Sequence, residues 1–312
     1  MTIGRVIAVH SSKGGVGKST LTCLLAKLLK ERDLKVGICD LDITGPCLKT
    51  LMPPNQDFVK WITKQSTHIR YENDKMSPRD PLDTLYPLST DEDTCLPEDN
   101  QYLEPLEVDT VKLMSISFFK SPKSQGFTAF RGPASDQICQ ILLKRTNWGE
   151  LNYLILDLPP GTMDIVLSAS EHITIDGVIA VTTPHITSQK ITERGLNLFK
   201  HLNTTVLALV ENMAYFQCSC AKHFIFGNPC GQNLCKNHNI PKYIQLPLIS
   251  MYVNVSIDDM LKDTVVTSEL YELVDHLINY KWEISKKISS IAVDDTDNFD
   301  WYMPSGMRFR MG

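Results

Sequence analysis

Short apolar runs alternate with helix-length segments along this chain, and that alternation predicts an α/β fold with a largely parallel central sheet. Two stretches carry most of the prediction. Arg5-Val6-Ile7-Ala8-Val9-His10 is followed by a glycine-rich turn and then by the leucine-rich stretch Leu21 to Leu29, which is the order strand, loop, helix. Tyr153 to Leu158, Y-L-I-L-D-L, is apolar almost throughout, as a parallel strand covered on both faces is. With 312 residues and 43% hydrophobic content the chain can bury a sizeable core in one large domain, and a second domain is not needed.

The turn after the first strand, Ser12 to Thr20, reads S-K-G-G-V-G-K-S-T. Gly14, Gly15 and Gly17, with Val16 among them, let the backbone turn tightly and aim N–H groups at phosphate oxygens, at the N-terminal end of a helix beginning near Lys18. Lys18 is placed to reach the β- and γ-phosphates of ATP. Ser19 offers Mg²⁺ a hydroxyl oxygen, and Thr20 starts the helix behind it. Ser12 stands where the general pattern G-x-x-x-x-G-K-S/T has its first glycine, and Lys13 follows it. Lys18 already serves the local phosphates, so Lys13 is free to reach a nucleotide on another subunit.

Lys35 to Leu41 makes the second strand, with Asp40-Leu41-Asp42-Ile43-Thr44-Gly45-Pro46 at its C-terminal end, the edge where open α/β sheets bind ligands. Asp42, beyond the strand and beside the Gly45-Pro46 turn, is the candidate for orienting or activating water, and a turn or cap aspartate is the alternative. Met52 to Glu107 is polar and Pro-rich, carries Asp91-Glu92-Asp93, and reads as an insertion in loop form. Val111 to Ile116 resumes the sheet, and Arg131-Gly132-Pro133 leads into a helix ending near Asn147-Trp148-Gly149. The strand Tyr153 to Leu158 ends in Pro159-Pro160-Gly161-Thr162. A carboxylate such as Asp157 at that point can hold a water on Mg²⁺, or else cap the next helix. Thr205 to Val210 is a further strand, followed by Asn212. In Glu269 to Ile278 the apolar residues Leu270, Leu273, Val274, Leu277 and Ile278 share one helical face, and the polar face is not Lys/Arg-rich, so a helix packed on the core is expected rather than one lying on a membrane. The ATPase domain is expected over 1–282 and a polar tail over 283–312.

A formal net charge of −5 argues against an electrostatic nucleic-acid or anionic-membrane surface, so neither partner is expected. No apolar run approaches the ~20 residues of a membrane span, and the first strand begins too early for a leader segment, so a cytoplasmic protein is expected. Among nine cysteines, Cys23, Cys39 and Cys139 have apolar neighbours and read as small buried hydrophobes, while Cys47 and Cys95 show no pattern. Cys218, Cys220, Cys230 and Cys235 crowd together, which in a reducing cytosol favours metal binding over cross-linking. The eight histidines form no pair at ligand spacing, and His223 and His238 read as surface residues.

The loop K-G-G-V-G-K-S resembles the deviant loop of the MinD and Mrp group of dimeric ATPases, in which the early lysine crosses the dimer interface. R-G-P at Arg131, W-G-E-L-N-Y-L-I-L-D-L-P-P-G-T-M-D from Trp148, V-T-T-P from Val181, V-E-N-M from Val210 and I-F-G at Ile225 extend the resemblance to the Mrp family of ATP-dependent iron–sulfur cluster carriers, over about Arg5 to Leu248. The resemblance implies a three-layer P-loop NTPase fold and a homodimer, or a heterodimer with a related ATPase, that hydrolyses ATP and passes a 4Fe-4S cluster to apo-proteins. It makes Lys13 the cross-dimer lysine, Lys18 and Ser19 the phosphate and Mg²⁺ contacts, Asp42 the switch carboxylate, Asp157 the Mg²⁺-linked aspartate and Asn212 the adenine contact, Asn212 being otherwise a turn residue. The family's C-P-x-C pair corresponds to Cys218-Ser219-Cys220, shorter by one residue. Two such pairs across a two-fold axis supply four thiolates, and the alternatives are an intrachain zinc site that adds Cys230 and Cys235, or no metal. A MinD- or ParA-like positioning ATPase without a cluster is the alternative function.

Overall fold

Burial along β1 (Thr2–His10) changes midway: the first four residues are partly or fully exposed, while Val6, Ile7, Ala8 and Val9 are shut in the core. The computed structural model describes residues 2–65, 68–71, 101–119, 132–161, 163–248 and 256–282. After β1 come α1 (Lys18–Glu31), β2 (Val36–Asp40) and the short α2 (Leu48–Leu51). Three strands follow, β3 (Lys60–Gln65), β4 (His68–Tyr71) and β5 (Gln101–Glu104), and then β6 (Leu106–Val108) and β7 (Val111–Ser115). The remaining core elements are α3 (Gly132–Lys144), β8 (Glu150–Asp157), α4 (Met163–His172), β9 (Gly177–Thr182), α5 (Ile186–His201) and β10 (Val206–Glu211). A small hairpin of β11 (Phe216–Gln217) and β12 (Lys222–His223) precedes α6 (Gly231–His238), β13 (Lys242–Gln245), α7 (Ile257–Met260) and α8 (Thr264–Asn279).

Eight of these strands form one sheet in the order β13-β10-β9-β1-β8-β2-β7-β6, parallel except for the edge strand β6. Right-handed crossovers put a connecting helix on one face when the chain steps toward β7 and on the other when it steps toward β13. Accordingly α1 packs with α7 and α8, while α3 packs with α4 and α5 with α6, giving the three layers the sequence implies. Asp263 caps α8 by accepting the N–H groups of Val265 and Val266, and Leu270, Leu273, Val274 and Leu277 face the core. Ile278, grouped with them by periodicity, is instead 39% exposed at the helix end. No helix among the described residues is long and apolar enough to cross a membrane.

The segment expected as an insertion in loop form is structured where it is described. β3 pairs antiparallel with β4 and β5 in a separate three-stranded sheet, and β6 turns back onto β7 to extend the main sheet. The β6–β7 turn is Asp109-Thr110, both left-handed at φ 49° and 68°, as a two-residue hairpin turn with the sheet's twist requires. Lys27 of α1 reaches the Asp109 carboxylate at 2.8 Å and also pairs with Asp258 of α7, which ties the hairpin to the helical layer. Asp91-Glu92-Asp93, Cys95, Arg131 and the tail 283–312 lie outside the described residues.

Trp148 is the largest fully buried side chain, its indole N–H donating to the Leu143 carbonyl at 3.3 Å. It lies over Gly37, where a Cβ would come within 3.0 Å of the ring, so the second strand needs a bare backbone under the tryptophan. Trp148→Ala should lower unfolding free energy by about 3–5 kcal/mol through loss of burial and the cavity left behind, read from denaturant midpoints.

Candidate functional site

The loop between β1 and α1 opens at the C-terminal edge of the sheet. Gly15 and Gly17 hold φ of 73° and 89°, a region that residues with a Cβ rarely adopt, and Gly17 is the left-handed N-cap of α1. A Cβ on Gly17 would also collide with the Asn212 amide, which donates to the Val16 carbonyl at 2.8 Å. Asn212, at the end of β10, is thus packed against the phosphate loop. Lys13 sits at the exposed crest of the loop, and its ammonium has no partner among the described residues.

Lys18 turns inward. Its ammonium pairs with Asp157 Oδ1 at 2.5 Å and lies 3.1 Å from Ser19 Oγ, with both charged side chains almost fully buried. Thr22, one turn further along α1, reaches the same carboxylate oxygen at 3.4 Å. Parallel register sets Asp40 of β2 beside Asp157 of β8, two carboxylates at the ends of adjacent strands. Asp40 is wholly buried, accepting from Ser115 Oγ at 3.1 Å and from the Asp42 N–H at 3.0 Å. Burial first, and the Asp157 charge second, push its pKa up to about 7. Burial likewise raises Asp157, against the pull of Lys18. Asp42 Oδ1 accepts from Gly45 N–H at 3.0 Å and Thr44 Oγ at 3.2 Å, so it closes the turn while remaining partly exposed at the mouth of the site. Beneath the loop, burial lowers the His10 pKa to about 4, leaving a neutral imidazole set edge-on to Phe199.

The thiols form a second locus. Cys218 and Cys220 are free, their sulfurs 2.8 Å apart on the turn of the β11–β12 hairpin. Hydrogen bonds from the Cys220 thiol and the neighbouring backbone lower the Cys218 pKa to about 6, which makes it a thiolate at neutral pH. His223, expected as a surface histidine, is exposed but brings Nε2 to 3.2 Å from the Cys218 sulfur. Cys230 and Cys235 do not join them. Cys230 contacts Glu211 through its N–H and sulfur, and burial followed by that carboxylate raises the two thiols to about 12 and about 11. The four-cysteine intrachain site is therefore not the grouping that the fold assembles. Asp40, Thr22 and His223 are the site residues that sequence reading passed over. A C-x-C-x-x-H spacing was the signal available for the last.

A glycine-rich loop joining a central parallel strand to the first helix, with its lysine and serine at the head of that helix, defines a P-loop NTPase. More narrowly, the chain belongs to the family described as ParA: NUBPL iron-transfer P-loop NTPase, whose model matches residues 2–279. It is 32% identical over 247 residues to an iron-sulfur cluster carrier protein of Rickettsia felis, covering 79% of this chain and 62% of the relative. It is also 32% identical over 246 residues to the chloroplastic Fe-S cluster assembly factor HCF101 of Arabidopsis thaliana, covering 79% of this chain and 39% of that one. The chain thus spans about two fifths to three fifths of the length of these relatives. Among solved structures, the nucleotide-binding protein of Archaeoglobus fulgidus in complex with ADP, with cobalt found by PIXE, aligns with a TM-score of 0.62 at 28% identity over 87% of this chain and 92% of that one. The cell division ATPase MinD of Pyrococcus furiosus, at 16% identity and a TM-score of 0.55 over 88% and 98%, shares the fold.

The raised Asp40 pKa has a pH signature. The folded chain keeps this proton up to about pH 7 while the unfolded chain releases it near 3.8, so Asp40's contribution to stability is full below the lower value and is lost as pH rises through the upper one. Asp40→Asn should therefore gain on the parent protein between pH 5 and pH 8, by at least ~1 kcal/mol, about one pKa unit. Parallel thermal or denaturant melts at the two pH values check the sign.

Proposed function

We propose that this chain is an ATP-hydrolysing carrier that holds a 4Fe-4S cluster between two subunits and transfers it to apo iron–sulfur proteins. The observation that carries the reading is the presence, on one fold, of a phosphate loop with an outward lysine and an exposed thiol pair 2.8 Å apart. Its kinship with relatives named iron-sulfur cluster carrier protein supports the same reading.

In this account residues 1–282 are the ATPase domain and 283–312 a tail. The backbone amides of Gly14 to Gly17 and the head of α1 receive the phosphates. Lys18 exchanges its Asp157 partner for phosphate oxygens, so nucleotide binding is coupled to the release of a buried carboxylate. Ser19 and Asp157 supply hard oxygen donors that suit Mg²⁺, directly and through water, and the ion when bound offsets charge on the phosphates. Asp42, held at the site's mouth by its turn, orients the attacking water, and Asn212 meets the adenine edge. Lys13 contacts the nucleotide of the partner subunit, a homodimer mate or a related ATPase, so ATP favours the paired state through a contact made only there. Cys218 and Cys220 of each subunit complete four thiolates around the cluster. Free cysteines, eight of them among the described residues, suit a reducing compartment such as the cytoplasm.

Lys18→Ala should abolish tight ATP binding, whereas Lys13→Ala should keep calorimetric affinity within a few-fold while losing ATP-dependent dimerisation and most turnover. Normal association of the Lys13 variant in light scattering would remove the cross-subunit role. After anaerobic reconstitution the parent protein should hold about one 4Fe-4S cluster per dimer. The Cys218→Ser, Cys220→Ser double variant should lose the iron and its absorption while still binding nucleotide, and retention of the iron would place the cluster elsewhere.

A further inference from the structure

The β11–β12 hairpin carries more donor atoms than a thiol pair. Its two rungs, Phe216 opposite His223 and Gln217 opposite Lys222, bring the imidazole back over the turn that holds both cysteines. Cys218 N–H donates to the Ala221 carbonyl at 3.1 Å, and Ala221 N–H points at the Cys218 sulfur at 3.4 Å, an amide placed to steady a thiolate. Cys218 Sγ lies 2.8 Å from Cys220 Sγ and 3.2 Å from His223 Nε2, and all three donor atoms fall within 4.8 Å of one another. Among the described residues this is the single grouping of three or more such donors.

We propose that Cys218, Cys220 and His223 form a metal site within one chain, which binds a single thiophilic divalent ion, Zn²⁺ or Fe²⁺, without a second subunit. Bond lengths of about 2.3 Å to sulfur and about 2.0 Å to nitrogen set tetrahedral donors roughly 3.5–3.8 Å apart, so the hairpin needs only to open slightly around the ion. Two thiolates and a neutral imidazole balance a divalent charge, any thiol protons being released on binding. The fourth position faces solvent, since Cys220 and His223 are exposed, and water fills it in the isolated chain. Cys230 and Cys235 are not available to close it, being engaged around Glu211 and the core. The proposal does not rest on the cluster-carrier reading, because it requires neither nucleotide nor dimerisation.

Cobalt is the probe, since its absorption reports both thiolate ligation and coordination geometry. Metal-free full-length protein, nucleotide-free and under anaerobic conditions, should take up one Co²⁺ per chain with thiolate charge-transfer bands and intense tetrahedral ligand-field bands, and should remain monomeric at the end point. His223→Ala should weaken Co²⁺ binding at least ~10-fold and alter the ligand-field bands. His223→Cys should restore affinity and strengthen the thiolate bands, as a third sulfur would. Uptake of one ion per two chains, unchanged affinity in His223→Ala, or no difference between His223→Ala and His223→Cys would each overturn the proposal. Loss of the 4Fe-4S cluster from reconstituted dimers is scored separately in the same variants and bears on the carrier reading alone.

Discussion

The ion pair between Lys18 and Asp157 is the contact around which the nucleotide edge is arranged. Two nearly buried charges are costly to desolvate, and the pair persists because β1, β8 and β2 end at the same level and deliver Lys18, Asp157 and Asp40 to one point. Removing either member would strand the other in the core. The same register makes Asp40 and Asp157 repel, which with burial raises the Asp40 pKa to about 7, while Ser115 Oγ and the Asp42 N–H donate to its carboxyl oxygens. A ligand with negatively charged oxygens that drew Lys18 away would leave Asp157 without its cation. The energy of binding is thereby linked to the state of the carboxylates behind the loop.

Much of the sheet was legible because parallel strands covered on both faces are written as unbroken apolar runs. Arg5 to His10 and Tyr153 to Leu158 fall inside β1 and β8 but for the final residue of the latter, and the ends differ by a few residues because the outer turns of each strand are half exposed. The region of β3 to β6 was not legible for the opposite reason. Its strands are short and mixed in polarity, and they gain stability from pairing with segments distant in sequence, as β3 does with β5. Asp109-Thr110 carries no glycine or Asn-Gly signal, yet both residues take left-handed conformations, supported by the Lys27 contact from α1.

Within the site, legibility followed sequence distance. The phosphate loop is a local device whose glycines, lysine and serine are contiguous, so the positions of Gly15, Gly17, Lys18 and Ser19 could be read directly. Asp40 could not, because the partners that decide its protonation come from β7, β8 and α1. His223 was passed over as one isolated histidine among eight. Only the antiparallel rungs of the hairpin return its ring to Cys218, and sequence periodicity does not encode a two-rung ladder.

One short segment links the phosphate loop to the thiol hairpin. Asn212 closes against Val16 of the phosphate loop, its neighbour Glu211 anchors Cys230 and Tyr243 on the other side of β10, and the thiol hairpin follows directly. The Ser19 and Asp157 oxygens lie at the loop, apart from the Cys218 and Cys220 sulfurs of the hairpin. A bound nucleotide can bias the hairpin only through contacts that differ between its bound and free states. Gly17 is what allows the Asn212 amide to lie on the loop at all, because any side chain at that position would displace it. The smallest residue of the loop thus serves two demands at once, the left-handed turn of the glycine-rich loop and the close approach that joins that loop to the segment carrying the thiol hairpin.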